Sequence, residues 1–173
     1  MKPNSFTGAS RTSSGPRPIL LPHGHKLLNF YMRPFYVAMP LLNIPLTRVQ
    51  SVEHYFQAMK GFYLMPPHME DQEAIIRHIL DSDKPIGAKR LGNALPINVP
   101  LWNGARVGHM LEGMIAKFHQ HSDLRRELEV TDGRPLVEHS KDDIWGDGLT
   151  GRGLNLCGQT LELVRELFIN GPE

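Results

Sequence analysis

Prolines at 18, 22, 34, 40 and 45 bar a long helix from the first quarter of the chain, while beyond Ser51 apolar residues recur every three or four positions. The fold must therefore join a short extended region to a mostly helical body. Phe35-Tyr36-Val37-Ala38 is the best strand candidate, with another extended piece near Leu46 to Val49. Residues 1–18 are rich in Ser, Gly, Pro, Arg and Thr and are expected to be a disordered tail, leaving 19–173 as one domain. A chain of 173 residues with 40% hydrophobic content can bury a core without a staple. The lone Cys157 excludes an internal disulfide, and no apolar run nears the roughly 18 residues of a membrane span. Without a secretory signal either, a cytoplasmic protein that keeps off membranes is expected. Nineteen basic against eighteen acidic side chains leave +1, so bulk charge gives no electrostatic footprint of a dedicated nucleic-acid binder, and any such contact has to be local.

Ser51 offers an N-cap and Glu53 suits the first turn of a helix expected over Val52 to Leu64, closed by Pro66-Pro67. At about 100° per residue, Val52, Tyr55, Phe56, Met59, Phe62 and Tyr63 share one apolar arc. Glu53, Gln57 and Lys60 rise along a different line, within about 60° of one another. Further helices are expected over Glu70 to Leu80, Lys84 to Gly92, Trp102 to His121, and from a Ser122 cap through Glu129. In the longest of these, Val107, Met110, Leu111, Met114, Ile115 and Phe118 face inward, and Arg106, His109, Gly113 and Lys117 form a mostly basic line. Leu136-Val137-Glu138 reads as a strand. Gly146, Gly148, Gly151 and Gly153 form a loop before a final helix, Asn155 to Ile169, with Leu156, Val164, Leu167 and Phe168 inward. Helices outweigh strands, which points to an α+β fold, predominantly helical with a small β-sheet.

Spacing leaves two readings for each polar group. Glu53, Gln57 and Lys60 are either a solvated face or a carboxylate and an amine pointing into one cleft, there to act as base and nucleophile once burial tunes them. Arg106, His109 and Lys117 are either an outer helix face or a phosphate-holding line. The glycine loop can cradle an anion, but Gly151-Arg152-Gly153-Leu154-Asn155 fits neither the Walker nor the Rossmann pattern. His23-Gly24-His25 and His119-Gln120-His121 are poor metal pairs, because i and i+2 diverge on a helix and one cysteine makes no zinc cluster. No metal is expected. Trp102 and Trp145 are either core or stacking platforms; Trp145 lies beside Asp142, Asp143 and three glycines.

Taken together, several blocks resemble the NADAR family, also called YbiA-like. They are Asn29-Phe30-Tyr31, the Ser51-Val52-Glu53-His54-Tyr55-Phe56-Gln57-Ala58-Met59-Lys60 run, Ala88-Lys89-Arg90-Leu91-Gly92, Trp102 with Arg106, Lys117-Phe118, Leu136-Val137-Glu138, Asp142 with Trp145-Gly146, and Gly153 to Gly158 followed by Val164-Arg165. The resemblance runs from Leu27 to Leu167. Gly148 reaches Gly153 in five steps, where many members carry a longer stretch with a further Trp; Leu28 and Cys157 stand where Ser and Leu are common.

The resemblance implies a YbiA-like single domain that acts as a hydrolase on N-glycosyl compounds, an N-glycosidase that parts ribose C1′ from an exocyclic amine. It implies removal of ADP-ribose from guanine in DNA or RNA, a reversal of ADP-ribosylation that the shorter loop favours, or else hydrolysis of ribosylamino-pyrimidine phosphates that are riboflavin intermediates. A non-catalytic module binding ADP-ribose or another NAD derivative is the reading from a different class. No cofactor is implied, and a paired ADP-ribosyltransferase toxin is an admissible partner. Glu53, Lys60 and Asp142 are the expected catalytic groups: Glu53 as base or charge stabiliser, Asp142 as second carboxylate, and Lys60, or alternatively Lys89, as a Schiff-base nucleophile. Asn29, Tyr31, Gln57, Lys89, Trp102, Arg106, Lys117, Trp145, Gly146, Gly148 and Asn155 are the expected substrate contacts, with phosphate assigned to Arg106 and Lys117.

Overall fold

The computed structural model describes residues 15–39 and 44–171, so all but the end of the expected tail lies outside the described residues. The chain forms one predominantly helical α+β domain with little β-structure. The first strand, β1 (Ile19–Pro22), pairs in parallel with β4 (Leu136–His139), and β2 (Phe35–Met39) pairs antiparallel with β3 (Ile44–Val49). The small sheet is thus two separate ribbons. In β2 the pleat turns Phe35, Val37 and Met39 into the core and leaves Tyr36 and Ala38 outside.

The central helix, α1 (Val52–Met59), is followed by a tighter 3₁₀ turn, Lys60–Tyr63, rather than continuing as α-helix to Leu64. Around it pack α2 (Gln72–Leu80), α3 (Pro85–Asn93) and the long α4 (Val99–Gln120). The last two helices, α5 (Ser122–Glu129) and α6 (Leu156–Asn170), close the other side of α4. The long helix starts three residues before Trp102, because the Asn98 side chain accepts the Leu101 N–H at 3.2 Å and proline is tolerated in the first turn. Ser122 is the first residue of α5 and its side chain caps nothing.

Burial corrects the periodicity in two places. Val107 and Leu167, expected inward, are exposed; the inner line of α6 is instead Cys157, Leu161 and Val164. Both residues lie on the stretch of their helix that no other element covers.

Close approach of α1 and α4 depends on Gly113. A Cβ there would stand 2.8 Å from Tyr55 Cδ1 and 3.1 Å from Val52 Cγ1, both fully buried. Gly113→Ala is expected to push the two helices apart and lower unfolding stability by about 1–3 kcal/mol, read from urea denaturation.

Candidate active site

Ser51 fixes the start of α1 by accepting the His54 N–H at 3.4 Å, and His54 Nε2 reaches the Ser82 carbonyl at 3.0 Å. The next N–H, of Glu53, donates to the Asn29 carbonyl at 3.0 Å, which brings the Asn29 side chain across the carboxylate. Asn29 Nδ2 donates to Glu53 Oε2 at 2.5 Å and Gln57 Nε2 to Glu53 Oε1 at 2.7 Å. Glu53 is 2% exposed, and burial pushes its pKa up to about 7, against the pull of Gln57, Lys89, Lys60 and Asn29 toward the ionised form. Gln57 fits beside it because residue 92 is glycine: a Cβ there would meet Gln57 Oε1 at 2.2 Å.

Lys60 opens the 3₁₀ turn on the same line, 7% exposed, and donates to Asn93 Oδ1 at 2.7 Å. Its ammonium stands 5.7 Å from the centre of the Trp102 ring. Burial lowers its pKa to about 8; Glu53 opposes this and Lys89 adds to it. The polar line of α1 is therefore buried and faces a cavity rather than solvent.

The opposite wall is a turn built by Asp142, whose Oδ1 accepts the N–H groups of Ile144 at 3.0 Å and Trp145 at 2.9 Å. Lys89 Nζ donates to its Oδ2 at 3.3 Å. Burial would raise this carboxyl, but the Trp145 and Ile144 amides and the Lys89 amine outweigh it and hold Asp142 below its ordinary value. Phe56 joins the walls, its ring 5.0 Å from Trp102 and 5.1 Å from Trp145.

Asn29, Glu53, Gln57, Lys60, Lys89, Trp102, Arg106, Asp142 and Trp145 all line this one cavity of about 210 Å³. The other expected contacts stand elsewhere. Lys117 is fully buried and spends its amine on the carbonyls of Lys26, Leu27 and Leu28, at 2.8, 3.3 and 2.9 Å, so it faces backbone and not a phosphate. Tyr31 packs near that amine, 5.7 Å from its ring centre. Gly146 and Gly148 shape the loop: a Cβ on Gly146 would meet Ser140 Oγ at 2.3 Å, and Gly148 sits at φ +64° against Asp143. Asn155 ties that loop to β4 by donating to the Leu136 carbonyl at 2.8 Å and accepting the Glu138 N–H at 2.9 Å.

Phe30, Asn93, Met110, Glu138 and Ile144 also line the cavity and were not foreseen as contacts. For Glu138 a signal existed: in a strand whose Leu136 faces the core, residue i+2 must face it too. Asn93, the last residue of α3, carries no such mark.

Two carboxyl groups pushed in opposite directions, sharing one cavity with an amine of lowered pKa, can move a proton and stabilise a cation in one place. Trp145, part-exposed, can grip a flat or sugar-like surface, whereas Trp102 is 5% exposed and stacks on His109 as core. Among the described residues no three His, Cys, Asp or Glu side chains gather as metal ligands, and no helix is long and apolar enough to cross a membrane.

The model of the NADAR domain matches residues 22–169. The chain is 37% identical over 117 residues to the N-glycosidase YbiA of Escherichia coli, covering 66% of this chain and 67% of that protein. It is 28% identical over 165 residues to the riboflavin biosynthesis protein PYRR of Zea mays, covering 86% of this chain and 26% of that longer protein. The NMR structure of the E. coli protein YbiA superposes with a TM-score of 0.67 at 27% identity, over 92% of this chain and 90% of that one.

Proposed function

The chain belongs to the NADAR domain family, and from that premise we propose that its cleft hydrolyses the bond between ribose C1′ and an exocyclic amine, with ADP-ribosylated guanine in nucleic acid as the substrate. The enzyme class is that of a hydrolase acting on N-glycosyl compounds. One observation carries the chemistry: Glu53 and Lys60 are buried in the same cavity, their pKa values drawn to about 7 and about 8.

Cleavage builds positive charge at C1′, which an ionised carboxylate held against the sugar stabilises. In the direct route, a water oxygen bonds to C1′ and gives a proton to Glu53. The C1′–N bond breaks, its electron pair stays on nitrogen, and the Lys60 ammonium protonates the departing amine. In the covalent route, the ribosylamine opens to an imine and neutral Lys60 adds to C1′. The amine leaves, and water then hydrolyses the sugar–lysine Schiff base. Asp142 stays ionised and holds Lys89 and the Trp145 turn in either case, and Arg106 is the remaining cation for a phosphate.

A cavity of about 210 Å³ is smaller than the roughly 300–1,000 Å³ that encloses a drug-sized ligand, which suits a ribose inside and bulky groups outside. The five-step loop from Gly148 to Gly153 leaves room for them. The second reading, a ribosylamino-pyrimidine phosphate of riboflavin synthesis, is favoured by the riboflavin name of the maize relative. Side-by-side turnover of guanine-ADP-ribosylated DNA and the pyrimidine phosphate separates them. Faster release from the DNA is the expected result, and binding of both without release would remove the enzyme reading in favour of a binding module.

The pH profile distinguishes the two routes. With Glu53 ionised and Lys60 protonated, kcat/KM rises through about pH 7 and falls above about pH 8. With Lys60 as the nucleophile it continues upward through pH 8 to a plateau, and borohydride fixes the sugar to Lys60. The bell is expected, together with no borohydride adduct.

A further inference from the structure

Asn29 Oδ1, Gln57 Oε1 and Glu138 Oε2 are buried around the cavity and have no hydrogen-bond partner. A buried acceptor without a partner is costly, so several around one cavity mark a place where a ligand brings the donors. Gln57 Oε1 is aimed at the backbone of Gly92 and not at open space. The other two are different.

With Glu53 ionised, the Asn29 amide turns its Nδ2 to Glu53 Oε2 at 2.5 Å, which leaves Oδ1 as a free acceptor. Glu138 is 7% exposed, points inward from β4 with Leu136, and is fixed through its N–H by Asn155. Both residues line the same cavity, and the Cys157 thiol donates to the Glu138 carboxyl while Oε2 stays unpaired.

Two unpaired acceptors lining one cavity call for an occupant with two donors. A phosphate brings none at neutral pH and is repelled by a carboxylate, and a base would lie on Trp145. A ribose offers two neighbouring hydroxyl groups of the right kind. We infer that Asn29 Oδ1 and Glu138 Oε2 receive the 2′- and 3′-hydroxyls of the ribose and make the site selective for ribo- over 2-deoxyribo-sugars. The identification of the occupant as a sugar rests on the N-glycosidase reading; the orphaned acceptors do not.

Calorimetric titration of the full chain with ribose 5-phosphate and with 2-deoxyribose 5-phosphate tests this without requiring turnover. The ribo sugar is expected to bind about tenfold or more tightly, because a site built for a hydroxyl leaves its own groups unpaired when that hydroxyl is missing. Glu138→Leu should bring the two affinities within about twofold, and Glu138→Gln, which keeps the shape and one acceptor, should fall between. Equal affinities in the unaltered protein, discrimination unchanged in both variants, or no binding of either sugar would each overturn the assignment. Discrimination without cleavage of any ribosylamine would leave it standing and remove the glycosidase reading alone.

Discussion

Glu53→Gln is expected to lower kcat by roughly 10²- to 10⁴-fold while the protein stays folded, because the amide cannot take up the proton that a carboxylate near pH 7 can. Affinity should suffer too. Asn29 and Gln57 both donate to the two Glu53 oxygens, and a carboxamide turns an NH₂ group toward one of those donors. Stability carries an independent signature. The folded pKa of about 7 lies above the ordinary 4.5, so the native state holds the extra proton between these values. The contribution of Glu53 to stability is therefore complete below about pH 4.5 and is lost as pH rises through about 7. Urea unfolding should show the native chain's advantage over Glu53→Gln shrinking from pH 5 to pH 8. Unchanged kcat would dismiss Glu53 from the chemistry.

Lys117→Ala is expected to cost about 3–5 kcal/mol, the largest loss of stability anticipated for a single change. Three carbonyls lose the Lys117 amine, Leu28 keeping only the Tyr31 N–H, and a fully buried side chain leaves a hole. The turn those carbonyls form leads directly into Asn29, so kcat should fall as well, although Lys117 touches no part of the cleft. Burial holds its pKa down at about 7, with Arg33 acting the same way and Cys157 opposing. A depressed lysine favours the native state above its ordinary pKa of 10.5, an advantage lost as pH falls through about 7. Denaturation midpoints within the error of the native chain's would refute the structural role.

The line Glu53, Gln57, Lys60 was legible because helical period alone sets three side chains on one face. What periodicity cannot register is whether that face meets water, since polar residues on a helix look the same in both cases. Lys117 went astray for this reason: Arg106 and Lys117 share a line in the sequence, but α4 is long enough for one end to open on the cleft and the other to be sealed by residues 26–28. The glycines and Asn155 act on the site through loop shape, which a list of residue types does not separate from ligand contact. Strand β1 was missed because Pro18 and Pro22 bracket a run of three aliphatic residues with no alternation. Its partner lies more than a hundred positions away, where no local pattern reaches.

That distant pairing also governs how the enzyme comes into being. Ile19 to Pro22 must wait for Leu136 to His139 before it has anything to bond with. Glu138 and the Asp142 turn arrive together with that partner segment. During synthesis the early helices emerge from the ribosome with half a catalytic wall and buried charges still wet. Translation must therefore pass Trp145 before the lining of the cavity is complete, and products cut short of it are expected to lack the site altogether.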